Sequence, residues 1–113
     1  LERAYILFRS LANDRISGGA MNRVLQALSD PTRREILRLL RARDMSAGEL
    51  AERFPLAKST LSGHFNVLKH AGLIAHERRR TSIVYSLNTS ALEEALAGVM
   101  ALMRAGSGKE ASS

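Results

Sequence analysis

The stretch that most constrains this chain is Ser59-Thr60-Leu61-Ser62-Gly63-His64-Phe65-Asn66-Val67-Leu68-Lys69-His70-Ala71-Gly72-Leu73. Leu61, Phe65, Leu68 and Ala71 recur at helical spacing, so one stripe of the predicted helix faces a core. Ser59, Thr60, Ser62, Gly63, Asn66, Lys69 and His70 fall on the other side. Small hydroxyls and a glycine dominate there, in place of the Glu/Lys mixture of an ordinary solvated helix. Short polar groups let a helix axis approach a surface closely, and hydroxyls and amides bond to base edges or phosphates. Ser59 is the expected N-cap, and Gly72 stands where a glycine ends a helix. The stretch has the profile of a DNA recognition helix.

Its neighbours complete a motif. Ser46-Ala47-Gly48-Glu49 matches a capping box that opens a short helix with Ala47, Leu50, Ala51 and Phe54 on one side, stopped by Pro55. Leu56-Ala57-Lys58 then joins it to the recognition helix, which makes a helix-turn-helix. After Gly72, Leu73 to Glu77 reads as a strand, and Thr81 to Leu87 returns with Ile83, Tyr85 and Leu87 alternating. Arg78, Arg79 and Arg80 form the tip between them. A basic hairpin directly after a recognition helix is a wing, able to lie along a phosphate backbone or minor groove. A solvated turn that merely tolerates arginine is the plainer alternative.

The flanks read as a frame. Val24, Leu25 and Leu28 suit a short amphipathic helix, and Ser29-Asp30-Pro31-Thr32 opens another. The second carries Ile36, Leu37 and Leu40 inward, with Arg33, Arg34, Arg38 and Arg41 on an ordinary solvated face. Ser90 and Glu93 stand at capping-box spacing before a last helix. Its stripe of Leu92, Leu96, Val99 and Met103, widened by Ala95, Met100 and Leu102, is broader than a small domain needs, so a symmetric dimer contact is expected. Residues 1–20, broken at Gly18-Gly19, are an N-terminal extension or upstream remnant; residues 21–104 are the domain; residues 105–113 have the composition of a disordered tail.

Composition narrows the function classes. A formal net charge of +6 fits an anionic partner, nucleic acid first. The absence of cysteine excludes disulfides and thiolate metal sites within the chain. His64 and His70 lie on different faces of one helix and cannot share an ion, so no metal and no other cofactor is expected. No nucleophile–base set, phosphate-cradling glycine loop or paired carboxylates suggest an enzyme. With no apolar run near the roughly 18 residues of a membrane span and no signal pattern, the expected location is the cytoplasm.

Several runs are family-like. Ala27-Leu28-Ser29-Asp30-Pro31-Thr32-Arg33-Arg34-Glu35-Ile36-Leu37 closely resembles the opening of the arsenic-repressor (ArsR) family. Ser62-x-His64-Phe65-x-Val67-Leu68-Lys69-x-Ala71-Gly72-Leu73-Ile74 resembles that family's recognition helix, and Val84-Tyr85-Ser86-Leu87-Asn88 its second wing strand. The resemblance spans residues 21 to about 104. Asp44-Met45-Ser46-Ala47-Gly48-Glu49 with Tyr85-Ser86-Leu87-Asn88-Thr89 resembles the sporulation-delay operon autorepressor branch.

The resemblance implies a mainly α fold with a small antiparallel β-hairpin, a winged helix-turn-helix, homodimeric through its first and last helices. Val24, Leu92, Leu96, Val99 and Met103 would then lie at the dimer interface. Lys58, Ser59, Ser62 and Gly63 fall where family members contact bases or backbone, with Thr60 and His64 beside them and Arg78, Arg79 and Arg80 on the wing. The implied function is repression, through autorepression of its own operon at a two-fold double-stranded operator, relieved in that branch by a membrane-protein antirepressor. Two departures stand out: Gly63 replaces a larger polar residue, and Arg80 sits where many wings have glycine. The metal ligands of sensor members are not matched, since the segment Glu49 to Arg53 offers only carboxylates and residues 88–104 only Glu93 and Glu94. Two alternatives remain open: a protein-interaction module using the same surface, and a sensor with an unrecognised inducer.

Overall fold

The computed structural model describes residues 19–112, with side chains described for residues 19–104. The extension expected at residues 1–20 therefore lies, through residue 18, outside the described residues. Gly19 and Ala20 are already helical and belong to α1, described over residues 19–28. There follow α2 (Pro31–Ala42), β1 (Met45–Ser46), α3 (Ala47–Ala51), α4 (Lys58–His70), β2 (Ile74–Arg79), β3 (Ser82–Leu87) and α5 (Thr89–Ser112). The sheet is antiparallel in the order β1-β3-β2. The expected hairpin thus gains a third strand, with Met45 opposite Tyr85 and Ser46 opposite Val84. Two residues are too few to show a period, so tertiary pairing alone makes this strand.

Helix starts follow local chemistry, with two corrections. Asp30 caps α2 as expected, its Oδ1 accepting from the Thr32 amide at 2.8 Å and the Arg33 amide at 3.2 Å. Desolvation pulls the Asp30 carboxyl upward, but these two amide bonds together with the nearby charges of His64 and Arg33 hold the group below its ordinary value. The Ser46–Glu49 capping box opens α3. Ser59, however, is not the cap of α4. The Leu61 amide already bonds the Ala57 carbonyl at 3.0 Å, so the helix begins two residues earlier, behind an N-cap without a side-chain bond. At α5 the expected Ser90 is replaced by Asn88, whose Oδ1 accepts from the Ala91 amide at 3.4 Å. The helix α5 runs Thr89–Ser112.

The core sits where α2, α3, α4 and β3 meet, around the fully buried Ile36, Leu50, Leu68 and Leu73. Phe65 of α4 lies against Tyr85 of β3, ring centroids 4.6 Å apart. This contact sets the recognition helix relative to the wing. The end of α4 is fixed as tightly. Gly72 takes φ +75°, its amide bonds the Lys69 carbonyl at 2.9 Å, and the Leu73 amide bonds the Leu68 carbonyl at 3.0 Å. This is a Schellman close, with Leu68 and Leu73 as its apolar pair. Asn88 then clips the far end of the wing to that turn, donating from Nδ2 to the Gly72 carbonyl at 2.9 Å and from its amide to the Leu73 carbonyl at 2.8 Å.

The hairpin turn is Arg80-Thr81, closed between Arg79 and Ser82. Arg80 stands at φ 57°, so the left-handed turn is kept without the glycine that usually supplies it. A Cβ at Gly72 would meet nothing within 4 Å, so Gly72→Ala should carry a purely conformational cost of about 1–2 kcal/mol in urea unfolding. Arg80→Gly should cost nothing and is expected to stabilise slightly. Equal losses from both changes would contradict this account of the two turns.

Candidate nucleic-acid interface

The helix α4 divides cleanly. Leu61, Phe65 and Leu68 face the core, while Lys58, Ser59, Thr60, Ser62, Gly63, Asn66 and His70 are exposed. Ser59, Thr60, Ser62 and Asn66 have no side-chain hydrogen-bond partner among the described residues. Their donors and acceptors are open to solvent along one side of the helix. Gly63 lies on this face, and a Cβ built there meets nothing within 4 Å. The fold therefore does not need glycine at this position, although glycine inside a helix costs about 1 kcal/mol relative to alanine. What it leaves is a bare strip of backbone, where a groove edge can come close.

His64 differs from its neighbours. It is half-buried, and its Nδ1 lies 3.2 Å from the Arg33 guanidinium. Arg33 was expected on a solvated face; instead it is half-buried and turned inward. Its Nε donates to the Ala27 carbonyl at 2.8 Å and a terminal nitrogen to the Gln26 carbonyl at 2.9 Å. Arg34 donates to the Leu28 carbonyl at 2.7 Å. The physical cause is the short Ser29-Asp30 link, which puts the first turn of α2 beside the last carbonyls of α1. That link was the available signal, but arginine periodicity alone hid it. Arg38 behaves as expected, exposed and paired with Glu35 at 2.5 Å.

On the wing, Arg78, Arg79 and Arg80 are all exposed. Arg79 lies 3.5 Å from Glu77, an internal partner the tip reading did not anticipate. Arg78 and Arg80 have no acidic partner among the described residues. Between α1 and α4 opens a cleft of about 350 Å³ walled by Arg23, Gln26, Arg33, Asn66, Val67 and His70, which continues the basic polar surface beside α4. Among the described residues no three His, Asp or Glu side chains are grouped to hold a metal ion.

A helix-turn-helix domain model matches residues 28–77, which hold α2, α3 and α4. The transcriptional repressor SdpR of Bacillus subtilis (strain 168) is 49% identical over 76 residues, covering 67% of this chain and 84% of that protein. An ArsR-like transcriptional regulator from Rhodococcus sp. RHA1 superimposes with a TM-score of 0.77 at 28% identity, over 85% of this chain and 91% of that one. This chain belongs to the ArsR family of winged helix-turn-helix transcriptional regulators. Within that family it is close to SdpR. A further structural match is the homodimeric winged helix-turn-helix DNA-binding domain of Mb0332 from Mycobacterium bovis, with a TM-score of 0.64 at 26% identity, over 79% of this chain and 84% of that one.

The second surface of this ArsR-family chain is apolar. On α5, Leu96 is 60% exposed, Met100 45%, Leu102 69% and Met103 70%. Val99 is half-buried between them, whereas Leu92 packs on the core of its own chain. Val24, expected at a dimer contact, is 6% exposed and belongs to that core as well; on α1 the open apolar residue is Leu25. A single step along a helix turns a side chain by about 100°, which separates the buried Val24 from the exposed Leu25. Helices α1 and α5 touch at Gly98, where a Cβ would come within 2.5 Å of the Met21 methyl. Among the described residues no helix is long and apolar enough to cross a membrane.

Because Gly63 is unconstrained by the fold, Gly63→Ala should raise the free energy of unfolding by about 1 kcal/mol while weakening binding to a preferred duplex. Paired melting and binding curves check this. A destabilised variant would show that the chain itself uses the space at Gly63.

Proposed function

We propose that this chain is a sequence-specific transcriptional repressor that binds a two-fold DNA operator as a homodimer. The observation that carries the reading is α4: its apolar stripe is buried, and its hydroxyl-rich side, with Lys58, Ser59, Thr60, Ser62 and Gly63, stands open, with the half-buried His64 at its border. Helices of this kind enter a major groove, and two copies one helical turn apart read two half-sites. Arg78, Arg79 and Arg80 on the wing, with Lys58, neutralise phosphates and so make affinity fall with salt.

The dimer is assigned to the exposed α5 face of Leu96, Val99, Met100 and Met103, with Leu25 from α1. An open apolar stripe of this size on a small domain is a contact surface. The homodimeric state of the Mycobacterium bovis domain supports a homodimer here. The name of the Bacillus subtilis relative supports repression over activation. By the same likeness we assign the chain's own promoter as target, action in the cytoplasm on chromosomal DNA, and relief through a membrane-protein antirepressor. The resulting mechanism is occlusion: a dimer seated across a promoter excludes polymerase from it.

The test is titration of a promoter duplex and a scrambled duplex at two or more salt concentrations. The expected result is a preference for the promoter and a steep fall in affinity with salt; salt-insensitive binding without preference would overturn the reading. Replacing Arg78, Arg79 and Arg80 together by glutamine should lower affinity for every duplex. It should also reduce the log–log salt slope by about 2, since Arg79 already has an internal partner. An unchanged slope would remove the wing from the interface. Leu96→Glu with Met103→Glu should give a folded monomer in sedimentation that binds the operator at least about tenfold more weakly.

A further inference from the structure

We propose that Arg33 is a positioning residue that locks His64 in one tautomer, so that His64 presents its Nε2–H from α4 as a hydrogen-bond donor to an acceptor atom of the operator. The proposal rests on the reading that α4 enters the groove and specifies what one of its residues can recognise there.

The argument begins with donor and acceptor inventory. A guanidinium carries five N–H donors and no acceptor, and it keeps its charge at any ordinary pH. The contact between Arg33 and His64 Nδ1, at 3.2 Å, is therefore a hydrogen bond only when Nδ1 offers a lone pair. The single proton of the neutral ring then sits on Nε2. Arg33 is not free to turn away, because two further donors are held by the Ala27 and Gln26 carbonyls at the end of α1, at 2.8 Å and 2.9 Å. One end of the imidazole is thus anchored to a rigid fork. Its Nε2 has no hydrogen-bond partner among the described residues, the Asp30 carboxylate interacting with the ring only through its charge, and His64 sits in sequence between the bare strip at Gly63 and the rest of the exposed face.

A ring fixed this way is a donor only. In the major groove it matches acceptors such as guanine O6 and N7, adenine N7 or thymine O4, and it mismatches the amino groups of cytosine and adenine. A histidine free to exchange tautomers would accept either kind of partner. Arg33 therefore adds selectivity without touching DNA, and it does so from the helix that follows α1.

Tautomer and selectivity are measured separately, on the full chain. With histidine labelled in its ring nitrogens, long-range proton–nitrogen correlation assigns the His64 proton, the His64→Ala variant identifying the signal. The expected result is the Nε2–H form in the wild type and a mixture of forms in Arg33→Lys, which keeps the charge but loses the fork. Preference for the operator, recovered by selection from a random duplex pool, over a scrambled duplex should fall about tenfold in Arg33→Lys. It should not fall further when the same change is made in a His64→Ala background. A wild-type His64 carrying its proton on Nδ1 would overturn the proposal even if operator binding is intact, and it can be read if Arg33→Lys fails to fold. An equal loss in both backgrounds would also overturn it, since Arg33 would then act without His64. A wild type with no sequence preference would instead overturn the functional reading, and the groove contact with it, whatever the tautomer.

Discussion

Everything on the proposed DNA side of this molecule is held by the seating of one apolar stripe. Leu61, Phe65 and Leu68 of α4 are 3%, 5% and 0% exposed, and each side chain of this size contributes about 1.5–3 kcal/mol when fully buried. That burial fixes the rotation of the helix about its axis. A turn of one residue would carry Ser62 inward and Leu61 out, leaving buried hydroxyls without partners. The wing depends on the same seating. Tyr85 lies against Phe65, and the Asn88 clip holds the far end of the hairpin to the turn that closes α4. Recognition helix and wing are therefore one rigid unit, with Arg33 tying it to the end of α1.

Local propensity is contradicted at three places. Gly63 interrupts a helix with no space requirement of its own, α4 begins without a side-chain cap, and Arg80 occupies a left-handed conformation. Each costs on the order of 1 kcal/mol. All three lie on α4 or on the wing tip; in the frame, α2 and α3 keep their side-chain N-caps, and the helical glycine Gly48 is a similar departure there. Such departures collect where a surface is shaped for a partner and are offset elsewhere. Their distribution agrees with a DNA-facing side built from α4 and the wing.

Much of this was legible in the sequence because it depends on period and on short-range chemistry. The stripe of α4, the Asp30 and Ser46 caps, the Gly72 close and the alternation of β3 are all written within a few residues. What was not legible depends on tertiary neighbours. The two residues of β1 form a strand only because β3 offers a free edge. Arg33 reads like Arg38 in sequence, yet one caps α1 and contacts His64 while the other stays in solvent. The cap of α4 is Ala57 and not Ser59 because the Ala57 carbonyl takes the first backbone bond.

The central claim is that the serine-bearing side of α4 meets the duplex, and the lack of native cysteine makes a direct test simple. A photoreactive group is attached to a single cysteine at Ser62→Cys and, as a control, at the exposed Arg41→Cys near the end of α2. The account predicts cross-links to the operator from position 62 at two sites related by the operator's two-fold axis, and none above background from position 41. Equal yields from both positions, or none from position 62 in a bound complex, would contradict it.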